Sequence, residues 1–328
     1  MDGKPPAGFS VGAVVVNWNS GEYLGRCLKA MAEQEAAFTR VVVVDNGDDA
    51  AAGAWEGVWP RHFQRIALPR NVGFAKANNI ALPHLSDCDW IALVNPDAFL
   101  KPDWLGRLLD AARRYPTIPV FAGCLVKALD PDRLDGAGDA FHFSGIAWRR
   151  GHGARRNTFP LTEMDVFGPC AAAALYRRDV LVEAGAFDED FFCYFEDVDL
   201  AFRLRLMGRE CRLIPAAVAG HVGSVTTGGQ KSDFAVYHGH RNLVWCYVKN
   251  MPGLLFWLLL PAFLLMNAAA VARFILRGQG RVILHAKRDA IRGLPAMWRK
   301  RQVVQTRRTA SAHAVWRSFD KGLRPRLK

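Results

Sequence analysis

The chain is 328 residues long, enough to bury a sizeable core in one large or two smaller domains. Its 51% hydrophobic content and mean hydropathy of +0.01 lie far from those of a polytopic membrane protein, and its seven cysteines, with no C-x-x-C pair, argue against a structural zinc site or disulfide framework and suit a reducing compartment. The net charge of +12 is unevenly placed: residues 1–272 hold 27 Lys and Arg against 29 Asp and Glu, and residues 273–328 hold 16 against 2.

The opening MDGKPPAGFS has no apolar run, so no signal peptide is expected there. VGAVVVNWN (11–19) is a continuous apolar run with a polar end, the pattern of a buried parallel strand. SGEYLGRCLKAMAEQ follows with Leu24, Leu28 and Met31 at helical spacing. VVVVDNG (41–47) repeats the strand pattern, FQRIAL (63–68) is a weaker third strand, and NVGFAKANNIAL (71–82) reads as a loop entering a helix. WIALVNPD (90–97) is a fourth strand, and PDWLGRLLDAARRY (102–115) is a helix with Pro in its first turn. The alternation predicts an α/β fold with a mostly parallel sheet flanked by helices. Ligands of such sheets bind beyond the carboxyl ends of the strands, where Asn17, Asp45 and Asp97 stand. Residues 128–160, rich in Gly, Asp and Arg, are expected as long loops over the site. FGPCAAAALYRRDVLVEAGAFDED (167–190) returns to a strand of small residues and then a short helix.

The polar residues at these strand ends each have two readings. Asp45 is either a turn or cap residue or a ligand contact. Asn71 and Gly73 could cradle a phosphate at a helix N-terminus, but NVGFAKAN lacks the G-x-G-x-x-G fingerprint. No G-x-x-x-x-G-K-[ST] occurs either, so neither a dinucleotide fold nor a P-loop is supported. In NPD, Asn95 and Asp97 stand two apart just before a helix. That carboxylate either caps a turn around Pro96 or suits Mg²⁺ or Mn²⁺, hard cations that share substrate phosphate oxygens. EDVDLAFRLRLMG (196–208) gathers Glu196, Asp197 and Asp199 at a helix start. The helix dipole favours acids there. One cap needs one carboxylate, however, and the surplus points to a general base facing a cleft. His221, after the strand CRLIP, is either structural or a ligand.

Taken in order, VVVNWNSGEYLGRCL, VVVVDNG, NVGFAKANN, LVNPDAF, GAFDEDFFCYFEDVDLAFRLRLMG and HVGS resemble the family 2 glycosyltransferases with the GT-A fold. The likeness is to the rhamnosyltransferase-like branch that builds bacterial cell-surface polysaccharides. It runs over about residues 11–250 and includes HGHRNLVWCYVKNMPG (238–253). The resemblance implies a GT-A catalytic domain over residues 1–250 and inverting transfer of a sugar from a nucleotide-diphospho-sugar. In this branch that means L-rhamnose from dTDP-rhamnose, moved to a hydroxyl of a lipid-linked or cell-surface glycan. It places Asn17, Asp45, Asn71, Gly73, Asn95 and Asp97 in the nucleotide-sugar pocket, and Asp97 and His221 at a Mg²⁺ or Mn²⁺ ion. Asp197 becomes the catalytic base, with Glu196 beside it and Asp199 helping to orient the acceptor or hold the helix start. Asn95 replaces the first acid of the family's D-x-D motif, which leaves one fewer charge on the metal. A single displacement of this kind needs a base on one face of the sugar and a stabilised leaving group on the other.

LLFWLLLPAFLLMNAAAVA (254–272) is 19 residues without a charge, about 28 Å as a straight helix and just long enough to span a bilayer. Pro261 is expected to kink or split it. A single span would also set the basic tail opposite a cytoplasmic catalytic domain, against the positive-inside rule. Residues 251–328 are therefore expected to form an apolar helical hairpin and a basic amphipathic tail. They would lie on anionic lipid at the cytoplasmic face of the inner membrane, peripheral or monotopic. A buried helix pair or a dimer interface is the other reading. Two further functions compete. A nucleotidyltransferase would normally carry a Gly-rich basic loop after its first strand, and NWNSGEYLG is a poor one. A basic-tailed nucleic-acid-binding protein would bind DNA in a salt-sensitive way through residues 273–328; no nucleic acid is expected as a partner.

Overall fold

The structure, a computed structural model, describes residues 8–47, 59–60, 62–223, 229 and 231–322. The chain starts with β1 (Val11–Asn17), α1 (Glu22–Ala32), β2 (Arg40–Asn46) and β3 (Phe63–Leu68). There follow α2 (Phe74–Ala81), β4 (Trp90–Val94), β5 (Ala98–Leu100), α3 (Trp104–Arg114) and β6 (Val120–Lys127). Next come β7 (Asp130–Ala137), β8 (Asp139–Phe141), β9 (Ala147–Arg149), β10 (Met164–Val166) and β11 (Ala173–Arg177). α4 (Arg178–Glu183), α5 (Glu196–Leu206) and β12 (Cys211–His221) complete the sheet region. The remainder is helical: α6 (Asp233–Asn250), α7 (Gly253–Leu276), α8 (Gly280–Arg292), α9 (Leu294–Thr306) and α10 (Ala312–Ser318).

The strands β3-β2-β1-β4 are parallel neighbours. β11 enters antiparallel between β4 and β6, β12 runs parallel to β6, and β10 closes the edge. The mixed sheet with flanking helices is the expected architecture. Every residue of β1 is buried, because helices cover both faces and alternate side chains enter different cores. Ala13, Val15, Val41, Val43 and Ala92 pack with Leu24 of α1 and Leu108 of α3. Val14, Val16, Val42 and Val44 pack instead with Ala77 of α2, Leu181 of α4 and Leu200 of α5.

Two expectations are revised. Residues 128–160 are not only loops: β7 pairs with β6, and β8 and β9 form a separate antiparallel pair. Several inward-facing positions there are polar, Asp135 and Asp139 being buried, so an alternation of apolar residues has little to reveal. The break expected at Pro261 is also missing. α7 is one helix of 24 residues that continues through Pro261, about 36 Å at 1.5 Å per residue. A proline removes a single amide donor, the one that would reach the Trp257 carbonyl, and the apolar residues on either side carry the helix past it.

The boundary expected at 250/251 falls in the turn between α6 and α7 but not at a break in packing. One hydrophobic cluster joins Phe141, Phe167 and Phe202 to Phe256, Phe263, Met297 and Phe319. The basic helices α8 and α9 lie against α6, burying Ile283, Ala286, Ala290 and Met297. α7 is largely uncovered, with 11% of its apolar window buried, and Leu254, Trp257, Leu258, Leu264 and Leu265 are exposed.

Candidate active site

A cavity of about 510 Å³ opens at the carboxyl ends of β1, β2 and β4. Its walls bring together Asn71, Gly73, Asn95, Asp97, His221, Glu196 and Asp197, although these residues are spread over 150 positions of sequence. Trp18, Asn46, Asp139 and Arg149 also line it.

One wall is built by strand register. β5 pairs with β12 so that His221 lies opposite Ala98, which sets its ring beside Asp97. The Gly223 amide donates to Asp97 Oδ2 at 2.9 Å. Asp135 Oδ2, from β7, takes His221 Nδ1 at 2.7 Å and also binds Arg149. With Nδ1 so engaged, His221 Nε2 lies 3.4 Å from Asp97 Oδ1 and makes no hydrogen bond of its own. Burial raises the Asp97 pKa, but His221 and the Gly223 amide outweigh it and hold the carboxyl below its usual range. These features fit a divalent cation. A carboxylate oxygen and an unpartnered imidazole nitrogen stand side by side, and a second carboxylate orients the ring from behind. Among the described residues no group of three or more His, Cys, Asp or Glu gathers as a metal cage. Two protein ligands completed by phosphate oxygens and water is the usual pattern for Mg²⁺ at a nucleotide.

The opposite wall is the start of α5. Its N-cap residue, Phe195, is left-handed and offers no side-chain cap. Of the eleven residues of this helix all are buried but Asp197. Asp197 Oδ1 accepts from the Val198 amide at 2.8 Å and Oδ2 from the Ala171 amide at 3.3 Å. Burial raises its pKa above the usual aspartate range in spite of both amides. Glu196 and Asp139 are pushed well above theirs, by burial first and then by the Asp197 charge. Glu196 Oε2 and Asp139 Oδ1 have no hydrogen-bond partner. The wall thus sets Asp197, the least buried of the three acids, beside two neighbours that resist ionising.

Asp199 has another role. Wholly buried, it accepts from Arg203 Nε and Lys249 Nζ, each at 2.9 Å, and from Asn250 Nδ2 at 2.7 Å. It ties α5 to α6 and does not line the cavity, so it holds the helix start and orients no acceptor.

On the third side, Asn71 Oδ1 accepts from Asn46 Nδ2 at 3.0 Å and from the Gly73 amide at 2.8 Å, while Asn46 Oδ1 accepts from the Val72 amide at 2.8 Å. Gly73 has φ +89°, and a Cβ there would stand 2.5 Å from the Phe192 ring. Only glycine suits that conformation and that approach. Asn17 and Asp45 stand slightly apart. Asn17 Nδ2 donates to Asp45 Oδ1 at 2.7 Å, and Arg65 pairs with Asp45 Oδ2. Among the described residues neither lines the cavity; Asn46 and Trp18, the residue after each, do.

Sequence reasoning missed Asp135, Asp139, Arg149, Asn46 and Trp18. The Asp-rich pattern of 128–160 was the one available signal for the first two.

Comparisons with known proteins bear on the fold and the family. An N-acetylglucosaminyl-diphospho-decaprenol L-rhamnosyltransferase of Mycobacterium tuberculosis is 27% identical over 248 residues, 69% of this chain and 80% of that protein. A pre-mycofactocin glycosyltransferase of the same species is 26% identical over 66% of this chain and 44% of its own length. Among solved structures, residues 1–349 of Staphylococcus aureus TarS with UDP-GlcNAc superpose with TM-score 0.58 at 16% identity, covering 93% of this chain and 89% of that one. A Pyrobaculum calidifontis mannosyltransferase with GDP-Man and Mn²⁺ gives TM-score 0.53 at 17% identity, over 96% and 88%. These structures share the fold. The sequence profile of glycosyl transferase family 2 matches residues 13–185, more than half of the chain, and the protein belongs to that family of glycosyltransferases.

Proposed function

We propose that the protein is an inverting glycosyltransferase that moves L-rhamnose from dTDP-rhamnose to a hydroxyl of a polyprenyl-diphosphate-linked glycan. The observation that carries the inverting mechanism is that Asp97 and His221 share one cavity with Asp197, the one residue of α5 that is not buried. The similarity to an enzyme named as a rhamnosyltransferase acting on N-acetylglucosaminyl-diphospho-decaprenol supports the choice of donor and acceptor.

In this reading Asp97 and His221 would hold Mg²⁺ or Mn²⁺, which would supply charge stabilisation to the diphosphate leaving group. Asn71, Asn46 and Gly73 shape the nucleotide side, with Asn95 beside Asp97 and with Asn17 and Asp45 behind. Asp197 accepts the proton of the attacking hydroxyl as the new C–O bond forms, and its raised pKa brings it closer to the operating pH, where a general base is most effective. Glu196 and Asp139, whose pKa values burial raises well above the usual carboxylate range, face the same space as neighbours that resist adding charge next to the base.

The exposed apolar face of α7 and the basic helices behind it support attachment to anionic lipid at the cytoplasmic face of the membrane. That position would bring the cavity to a lipid-borne acceptor. The test is transfer from dTDP-rhamnose to a polyprenyl-diphospho-N-acetylglucosamine in the presence of Mg²⁺ or Mn²⁺. UDP- and GDP-sugars serve as competing donors. Rhamnosylated lipid is the expected product; transfer only from another nucleotide sugar refutes the donor, and release of the protein from membranes by salt alone refutes the embedded helix.

A further inference from the structure

HGHRNLVWCYVKN, the second half of α6, has no place in the cavity wall as described so far. Three residues of that stretch, Asn242, Lys249 and Asn250, fall on one face of the helix, at i, i+7 and i+8. All three are buried, and all three point at the approach to α5. Lys249 and Asn250 hold Asp199. Asn242 does something different: its Nδ2 lies within hydrogen-bond distance of three carbonyls of a single turn, those of Phe191 at 2.8 Å, Cys193 at 2.9 Å and Tyr194 at 2.7 Å. Arg241 adds contacts to the carbonyls of Asp190 and Phe191 at 3.2 and 3.1 Å.

That turn is strained. Phe192, Tyr194 and Phe195 all have positive φ, at 64°, 66° and 68°, a conformation that bulky residues avoid unless the surroundings impose it. The turn is also where the two halves of the cavity meet. Phe192 O accepts from the Ala75 amide at 3.1 Å, at the first turn of α2, and the Phe192 ring lies against Gly73. Phe195 is the N-cap of α5, two residues before Asp197.

We propose that Asn242 is a positioning residue for the reaction. Its amide draws three carbonyls of the left-handed turn together and so fixes where the Asp197 carboxylate stands relative to the donor. The inference rests on Asp197 being the base. Asn242 touches no cavity space itself. Its effect reaches the chemistry only through the turn, where a displacement of about 1 Å can cost on the order of 100-fold in rate.

The test compares Asn242→Ala, Asn242→Ser and Asn250→Ala in the full chain. Asn250 sits on the same face of α6 and is equally buried, but its hydrogen bond goes to Asp199, beyond the turn, so its variant reports the loss of a buried α6 hydrogen bond that bypasses the turn. Expected are a fall in kcat of about 100-fold for Asn242→Ala and a smaller fall for Asn242→Ser, whose hydroxyl keeps one donor for the turn. Nucleoside-diphosphate binding with Mn²⁺, followed by calorimetry, should change less than about threefold, because the Asn46–Asn71 network does not rest on Asn242. Asn250→Ala should lose a similar amount of thermal stability while keeping kcat. In an Asp197→Asn background, Asn242→Ala should add little further loss of rate, since both act on one step. The inference is overturned if Asn242→Ala or Asn242→Ser retains kcat at the level of Asn250→Ala, or if rate and nucleotide affinity fall by the same factor. A failure of the base assignment is seen separately, as full turnover by Asp197→Asn alone. Should Asn242→Ala not fold, Asn242→Ser and its double variant with Asp197→Asn decide the matter.

Discussion

Replacing Asp197 by Asn separates a catalytic carboxylate from a structural one, because the two roles predict opposite effects on stability. The side chain accepts two backbone amides, Val198 N at 2.8 Å and Ala171 N at 3.3 Å. An Asn oxygen keeps the shorter of these and loses the longer, a cost of about 1 kcal/mol. Against this stands the burial that raises the Asp197 pKa. A raised aspartate pKa means that the folded state disfavours the ionised form, so the carboxylate subtracts from stability once the pH rises above the unfolded value of about 4. Asn never ionises and escapes that penalty. The two terms oppose each other, and the melting temperature should stay within a few degrees of the parent at pH 7.5. Relative to the parent it should be lower at pH 4, where the penalty is absent. Turnover should fall by about 10²–10⁴, the range for removing a positioned general base, with nucleotide affinity nearly unchanged. Thermal melts at both pH values, steady-state transfer assays and calorimetry with the nucleoside diphosphate read the three quantities. Turnover within tenfold of the parent refutes the role. So does a variant that loses activity only in step with a large drop in stability, since that is how a helix cap behaves.

The pH profile of kcat/KM should show an acid limb above the ordinary aspartate range of about 4, because the raised Asp197 must lose its proton before it can act; a limb at or below 4 contradicts it. Asp97→Ala should abolish the dependence of nucleotide binding on Mn²⁺, whereas binding that keeps its metal dependence would remove Asp97 from the cation site. Gly73→Ala places a Cβ 2.5 Å from the Phe192 ring at φ +89°, so it should cost about 1–3 kcal/mol and displace the turn before α5. Unchanged stability and turnover would show that this close approach is not maintained in solution. Asp199→Ala strips the shared acceptor from Arg203, Lys249 and Asn250. Breaking such a buried ionic network costs on the order of 3–5 kcal/mol, read as a drop of about 10 °C in melting temperature, and a shift under 2 °C would mean the network contributes nothing.

Much of the sheet was legible because its strands are the simplest pattern a sequence offers. VVVVDN and WIALV are apolar on both faces, and each ends at once in polar residues, so both the strand and its ligand-facing tip could be read directly. Asp97 and Asp197 drew attention for a different reason, as a polar strand tip and one of a surplus of acids at a helix start, and the structure sets both on one cavity. Asp135 and Asp139 were hidden because β7 and β8 turn carboxylates inward, Asp135 onto His221 and Arg149 and Asp139 into the cavity wall, and not towards a core. A strand whose buried side chains are polar looks like a loop. Pro261 misled in the opposite direction. Its single missing donor is a local defect, and the seven apolar residues before it and the five after it continue the helix regardless. The role of Asn242 had no sequence signature, since its partners are backbone carbonyls some fifty residues away.

The three acids at the start of α5 raise a final physical point. Residues two apart on a helix lie about 200° apart around its axis, so Asp197 and Asp199 necessarily face nearly opposite sides. One looks into the cavity and the other into the joint with α6. Glu196, between the chain turn and the base, is buried with one oxygen unpartnered. A free-standing helix start with three carboxylates would repel itself. Here the repulsion is divided: Asp199 is paired with Arg203 and Lys249, burial raises the Glu196 pKa well above the usual glutamate range, and Asp197 alone of the three is not buried. Lys249 also binds Asp188 at 2.6 Å, and Lys300 of α9 pairs with Asp188 and Asp190. The joint therefore continues through α6 to the basic C-terminal helices. The start of α5 is held from behind by the same helical packing that carries the exposed apolar face of α7, so Asp197 and that face are parts of one packed unit.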